Sequence, residues 1–162
     1  MRIKIAIAAV VALVVVVVLM MEPLRARDAA PGFKLVDLDG RHVQLADFKG
    51  KAVVLKFWTS LCSACIRALP ELDAVARQFG DQAVVLAVNV LDEPRTVQRV
   101  VEEYQVTLRV LLDSDGAVAK RYKVRGYPTH AFINPNGKLV AVIPGYMNAE
   151  ALAIMVHRAL KP

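Results

Sequence analysis

Residues 52–79, AVVLKFWTSLCSACIRALPELDAVARQF, decide the fold. The opening AVVLKFW at 52–58 is a short apolar run rich in Val and aromatic residues, the pattern of a strand buried on both faces. From Cys62 onward the period changes. Ile66, Leu69, Leu72, Val75, Ala76 and Phe79 recur at three- and four-residue steps and Gly80 follows as a stop, so the spacing predicts one amphipathic helix over 62–79. Cys62 and Cys65 then fall on its first turn, at the strand-to-helix junction. Positions i and i+3 share a helix face at a separation that a disulfide can close with little strain. The first of such a pair meets unpaired backbone N–H groups and the positive end of the helix dipole, which favour a thiolate. Cys62 is therefore expected to be the nucleophile and Cys65 the resolving thiol. The same two residues also read as half of a zinc site, with only His42, His130 and His157 left to complete it, or as inert buried thiols.

Outward from this core the chain alternates. FKLVDLDGRHVQL at 33–45 places two alternating segments around Asp39-Gly40, a hairpin signal. AVVLAVNV at 83–90 and LRVLLD at 108–113 read as strands, PRTVQRVVEEYQ at 94–105 as a helix opened by Pro94, and 116–123 as a short helix. THAFINPNGKLVAVI at 129–143 is a second hairpin around 134–137, and 148–160 closes with a helical pattern. Strands alternating with helices, then a hairpin and a helix, imply an α/β domain whose mixed sheet is covered on both faces.

Upstream of that domain, Ile5 to Met21 carries no polar side chain and as a helix spans roughly 25 Å, enough for a thin hydrocarbon layer. It exceeds the usual export core and lacks a small-x-small cleavage site, so residues 1–21 are expected to be an uncleaved, single-pass membrane anchor. Residues 22–32, EPLRARDAAPG, read as a tether, and 33–162 as one domain. Arg2 and Lys4 nearly balance Arg25 and Arg27 across the span, and the amino terminus tips the orientation towards N-inside. The domain then lies outside the cytoplasm, where a cysteine pair can cycle as a disulfide. Of 21 cationic side chains 19 follow the anchor, against 15 carboxylates, a net charge of about +4 that is too small to announce nucleic acid. An apolar fraction of 56% with 8 Gly and 8 Pro excludes disorder and collagen-like repeats, and two cysteines are too few for a stapled mini-protein.

The stretch VVLKFWTSLCSACIRALPEL, taken with the later GYPTHAFINPNGKLV, resembles the thioredoxin superfamily, and within it the membrane-tethered, extracytoplasmic thiol-disulfide oxidoreductases of the TlpA/ResA type. The resemblance covers roughly 33–160 and rests on the joint presence of W-x-x-x-C-x-x-C and G-x-P-T. It implies a thioredoxin fold with an added N-terminal β-hairpin. It also implies catalysis by the Cys62–Cys65 dithiol/disulfide pair with no other cofactor and no metal. Carried over by position, Trp58 packs beside the pair, Pro128 is the cis-proline facing the sulfurs, and Tyr127, Pro128 and Thr129 with Trp58 form the client-binding surface, Thr129 more as a support of the turn. Tyr127 would offer its peptide groups to an extended client segment as an added strand. The family leans towards reduction, with a membrane electron-donor protein upstream and disulfide-bearing clients downstream, apocytochrome c among them.

Several residues depart from that pattern. Leu61 stands where many relatives have a second tryptophan, and Ala64 where proline is common. Lys56 stands where relatives usually carry Asp, Asn or an apolar residue beneath the second cysteine. As an ammonium it would favour thiolates and make the protein more oxidising; as a neutral amine it could take the proton of Cys65; or its long stem could carry the charge to solvent with no redox role. Glu93, or Asp92 beside it, lies near where some relatives place an acid by the active site, although either could simply open a helix at Pro94. His130 could sit near the sulfurs or be a packed strand histidine. Lys120, Arg121, Lys123 and Arg125 form a basic run that suits solvent, an acidic partner or anionic headgroups. Two rival functions remain: a peroxiredoxin-like peroxidase, suggested by Thr59-x-x-Cys62 but lacking the upstream proline at Leu55, and a non-enzymatic copper-handling protein using Cys62, Cys65 and a histidine.

Overall fold

The structure is a computed structural model that describes residues 29–161. The anchor expected at 1–21, and the tether up to residue 28, lie outside the described residues. Among the described residues no helix is long and apolar enough to cross a membrane.

Seven strands form one mixed sheet in the order β2-β1-β5-β4-β3-β6-β7. Their ranges are β1 Lys34–Asp37, β2 His42–Gln44, β3 Ala52–Trp58, β4 Ala83–Val90, β5 Arg109–Asp113, β6 Thr129–Ile133 and β7 Leu139–Pro144. The helices are α1 Ser63–Arg67, α2 Leu69–Phe79, α3 Pro94–Glu103, α4 Ala117–Arg121 and α5 Ala149–Ala159. β3 is central, parallel to β4 and antiparallel to β6, and all seven of its residues are buried. That burial explains why its sequence is nearly continuous in apolar side chains instead of alternating.

The pleat of β3 sorts its side chains into two cores. Val54 and Trp58 join Cys65, Leu69, Leu72 and Phe79, with Leu152 and Val156 of α5, on one face. Val53, Leu55 and Phe57 join Phe33, Val118 and Tyr122 on the other. At the edge, β1 and β2 pair antiparallel. Their turn is held by buried Asp37, whose Oδ1 accepts from the N–H groups of Asp39 and Arg41 at 3.1 and 2.8 Å. Gly40 there has φ +79°, a left-handed conformation that a side chain would strain.

The single helix expected over 62–79 is corrected to two. α1 ends at Arg67, and α2 restarts at Leu69 with Pro70 in its first turn. Pro70 has no N–H to give the carbonyl of Ile66, and its ring crowds that carbonyl, so the ladder breaks there. The break confines the cysteines to a one-turn helix that can be aimed independently of α2.

Candidate active site

Cys62 and Cys65 form a disulfide with an S–S distance of 2.06 Å and a Cα–Cα distance of 5.2 Å. Cys62 is the N-cap of α1 and half-buried, whereas Cys65 is fully buried. The N–H of Cys65 donates to Cys62 Sγ at 3.2 Å, so a backbone donor is already in place for negative charge on the outer sulfur. Cys62 N–H in turn donates to the carbonyl of Thr59 at 3.2 Å, closing the turn that joins β3 to α1.

The register places the 127–129 turn at the same end of the sheet. Phe57 pairs with Thr129 and Lys56 with His130, so Pro128 lies beside the end of β3 that leads to Cys62. The Tyr127–Pro128 bond is cis. Thr129 Oγ1 donates to the Gly126 carbonyl at 2.7 Å, and the Pro128 carbonyl accepts from Gly145 N–H at 2.8 Å, which ties this turn to the β7–α5 connection. Tyr127 is 38% exposed and Leu61, next to Cys62, is 94% exposed.

Trp58 and Thr129 do not lie on that outer surface. Trp58 is 0% exposed and Thr129 2%. Trp58, the last residue of a doubly covered strand, packs in one cluster with Cys65 as expected, and Thr129 supports the turn through its hydroxyl, so neither side chain faces outward. Tyr127 and Leu61 are the exposed side chains here, whereas Pro128 is buried.

Lys56 is the unusual feature of the site. It is 0% exposed, and its Nζ donates to the carbonyl oxygen of Cys65 at 3.0 Å. The stem does not reach solvent, because Lys56 sits mid-strand between β4 and β6 with α1 overhead, and that excludes the solvent-reaching alternative. Burial lowers its pKa from 10.5 to about 8, partly opposed by the negative charge of Glu71. Glu71 is held in turn by the hydroxyl of Tyr146, 2.9 Å from each carboxylate oxygen. His130, 1% exposed, faces Lys56 across the β3–β6 pair; burial first, and the Lys56 charge second, lower its pKa to about 4.

The depressed His130 value gives a stability prediction. Between about 6.5 and about 4 an unfolded chain binds a proton at this position that the folded chain does not, so folded stability falls as pH drops through that window. Denaturant unfolding at stepped pH should show this loss in the native chain and a smaller loss in His130→Leu.

Of the two acids expected near the site, the structure brings in Asp92. Its Oδ2 accepts from Ser60 N–H at 2.6 Å and from Asn89 Nδ2 at 2.7 Å, fastening the β4–α3 loop to the segment before Cys62. Glu93 is exposed at the N-cap of α3 and makes no capping hydrogen bond, so nothing in its placement supports tuning of the pair. Asp92→Ala should cost about 1.5–3 kcal/mol in denaturant unfolding, as charge-assisted hydrogen bonds do. Glu93→Ala should stay within about 0.5 kcal/mol. Sequence reasoning missed the Ser60–Asp92 tie and the Tyr146–Glu71 bond, both of which join residues more than thirty positions apart. As to metals, among the described residues no three His, Cys, Asp or Glu side chains cluster to hold one.

With this geometry in view, the AhpC/TSA family profile matches residues 26–142. The chain is 39% identical over 129 residues to the thiol-disulfide oxidoreductase ResA of Bacillus subtilis (strain 168), covering 79% of this chain and 70% of that protein. It is 34% identical over 127 residues to the ResA of Halalkalibacterium halodurans, covering 78% and 72%. Among solved structures it is similar to the exposed lipoprotein thioredoxin Etrx1 of Streptococcus pneumoniae, with a TM-score of 0.72 and 38% identity over 79% of this chain and 99% of that one. A secreted disulfide oxidoreductase of Mycobacterium tuberculosis matches with a TM-score of 0.70 and 26% identity, over 78% and 95%.

Proposed function

The chain belongs to the AhpC/TSA family within the thioredoxin superfamily and is a thiol-disulfide oxidoreductase, and from that premise we propose that it is a membrane-tethered, extracytoplasmic reductant of client disulfides. The observation that carries the chemistry is the Cys62–Cys65 disulfide, its outer sulfur half-exposed beside the Tyr127-Pro128 turn and its inner sulfur buried over Lys56. In the reducing direction Cys62 thiolate attacks one sulfur of a client disulfide and the other leaves as a thiolate. Cys65, once deprotonated, attacks Cys62 Sγ, releases the second client sulfur and closes the intramolecular disulfide. Two electrons pass to the client, and a membrane electron-donor protein returns them. No group beyond the cysteine pair is needed.

The apolar run at 5–21 supports membrane attachment, and a cysteine pair that must be re-reduced after each turnover suits a compartment where disulfides persist. Clients are proteins whose cysteines oxidise there, apocytochrome c among them. Tyr127 and Leu61 receive an extended client segment beside Cys62. Lys56 is the group that sets the proton affinity of the pair.

Incubating the reduced full chain with an oxidised C-x-x-C-H peptide tests the direction. One equivalent of peptide dithiol should form per chain oxidised. A peptide left oxidised by a fully reduced chain would overturn the reducing role. The peroxidase reading is separated by the same preparation, since hydrogen peroxide should be turned over no faster than by a free thiol.

A further inference from the structure

On the central strands β3, β4 and β6, one face of the sheet is apolar except at the end nearest the disulfide. Lys56 and Trp58 on β3, Asn89 on β4 and His130 on β6 all point to that face, because Val54, Ala87 and Phe132, each two residues away, pack into the cluster that holds Cys65. Lys56 and His130 are direct cross-strand partners, which sets their Cβ atoms about 5 Å apart. Both are buried, and neither ring nitrogen of His130 has a hydrogen-bond partner; the backbone of Gly145 approaches the ring without reaching bonding geometry.

The surroundings decide what such a pair can hold. α1 contributes Cys65 and the apolar Ile66, with Cys62 at its N-cap. β4 contributes Ala87 and the neutral Asn89, and α5 contributes Leu152, Met155 and Val156. The carboxylate whose charge acts on Lys56 is Glu71 of α2, bonded to Tyr146 from the β7–α5 connection. One partly shielded carboxylate can balance one buried cation. Two cations side by side, one of them a ring with no acceptor, would repel in a medium that screens poorly.

We propose that Lys56 and His130 form a single-charge site beneath the disulfide, in which the Lys56 ammonium keeps the buried, unpartnered ring of His130 from taking up a second proton beside it. His130 is then neutral in the native chain, and its own charge bears on the sulfurs only where Lys56 is removed. The site gains no second charge until His130 titrates near pH 4, so the field that favours thiolate stays constant from neutral pH down to about pH 5. No covalent step is added; one proton exchanges with solvent. The consequence for thiol chemistry rests on Cys62–Cys65 being the working redox pair, whereas the single-charge site does not.

The test follows the His130 Cε1–H resonance against pH in the oxidised full chain in detergent micelles. In the native chain the ring should remain neutral at pH 5 and titrate near pH 4. In Lys56→Met its proton affinity should rise at least tenfold, and the rate of Cys62 alkylation in the reduced variant should acquire a pH dependence with the His130 midpoint. Lys56→Met combined with His130→Leu should lack that dependence. If Lys56→Met does not fold, Lys56→Gln removes the same charge with a polar side chain. An unchanged His130 midpoint without Lys56 overturns the proposal. A shifted midpoint with no reactive Cys62 in any form would leave the charge site standing and refute the redox reading instead.

Discussion

Cys65→Ser should leave the chain covalently joined to its client. In that variant Cys62 still attacks a client disulfide, but no second thiolate exists to displace the client, so the mixed disulfide persists until an external thiol cleaves it. Non-reducing electrophoresis and mass spectrometry against a disulfide-bearing peptide should show stoichiometric adduct at Cys62. Cys62→Ser should form no adduct, since Cys65 is 0% exposed. In both variants multiple turnover should fall to the uncatalysed background. The asymmetry is the informative part, because it follows from one sulfur standing at the N-cap of α1 and the other lying under it. Equal trapping by the two single variants would contradict the assignment of nucleophile and resolving thiol.

Lys56→Met should move the redox chemistry without moving the fold of the cysteine turn. With its Nζ on the Cys65 carbonyl, the ammonium lies against the pair and favours thiolates over thiols. Losing it should raise the Cys62 thiol pKa by about 1 unit, the low end of the effect of a nearby opposite charge. It should also make the couple more reducing by about 30 mV, since 1.4 kcal/mol corresponds to that potential for two electrons. Alkylation rate against pH reads the first, and equilibration in glutathione buffers reads the second. Because the folded Lys56 value of about 8 lies below the ordinary 10.5, the unfolded chain binds more protons between them. Folded stability of the native oxidised protein should therefore rise with pH through that window, and Lys56→Met should abolish the rise. If pKa and potential were unchanged in the variant, Lys56 would have no redox role.

Much of this was legible in the chain. The nearly continuous apolar run of β3, the switch to helical spacing after Cys62 and the Asn-Pro-Asn-Gly turn between β6 and β7 each carry a local signal, and each element forms where that signal lies. The pair Cys62 and Cys65 was legible for the same reason. The break at Ala68 was also local, written in Pro70, and the apolar periodicity running through it concealed it. What could not be read was depth. A lysine within AVVLKFW has a stem long enough to reach water, and only the layering of β4, β6 and α1 around it shows that it does not. The same holds for Trp58, whose chemistry suits a client surface and whose position as the last residue of a central strand buries it. Asp92 rather than Glu93 joins the site because a loop bond to Ser60, thirty-two residues away, selects it.

The most direct test of the central claim is the reduction potential of the full chain, measured by equilibration in graded dithiothreitol and glutathione buffers with Cys62 and Cys65 quantified by alkylation. The account predicts one reversible two-electron transition between disulfide and dithiol, within the working range of about −270 to −120 mV spanned by thiol-disulfide oxidoreductases. A pair that stays oxidised at potentials below about −300 mV would behave as a structural disulfide and would contradict the account.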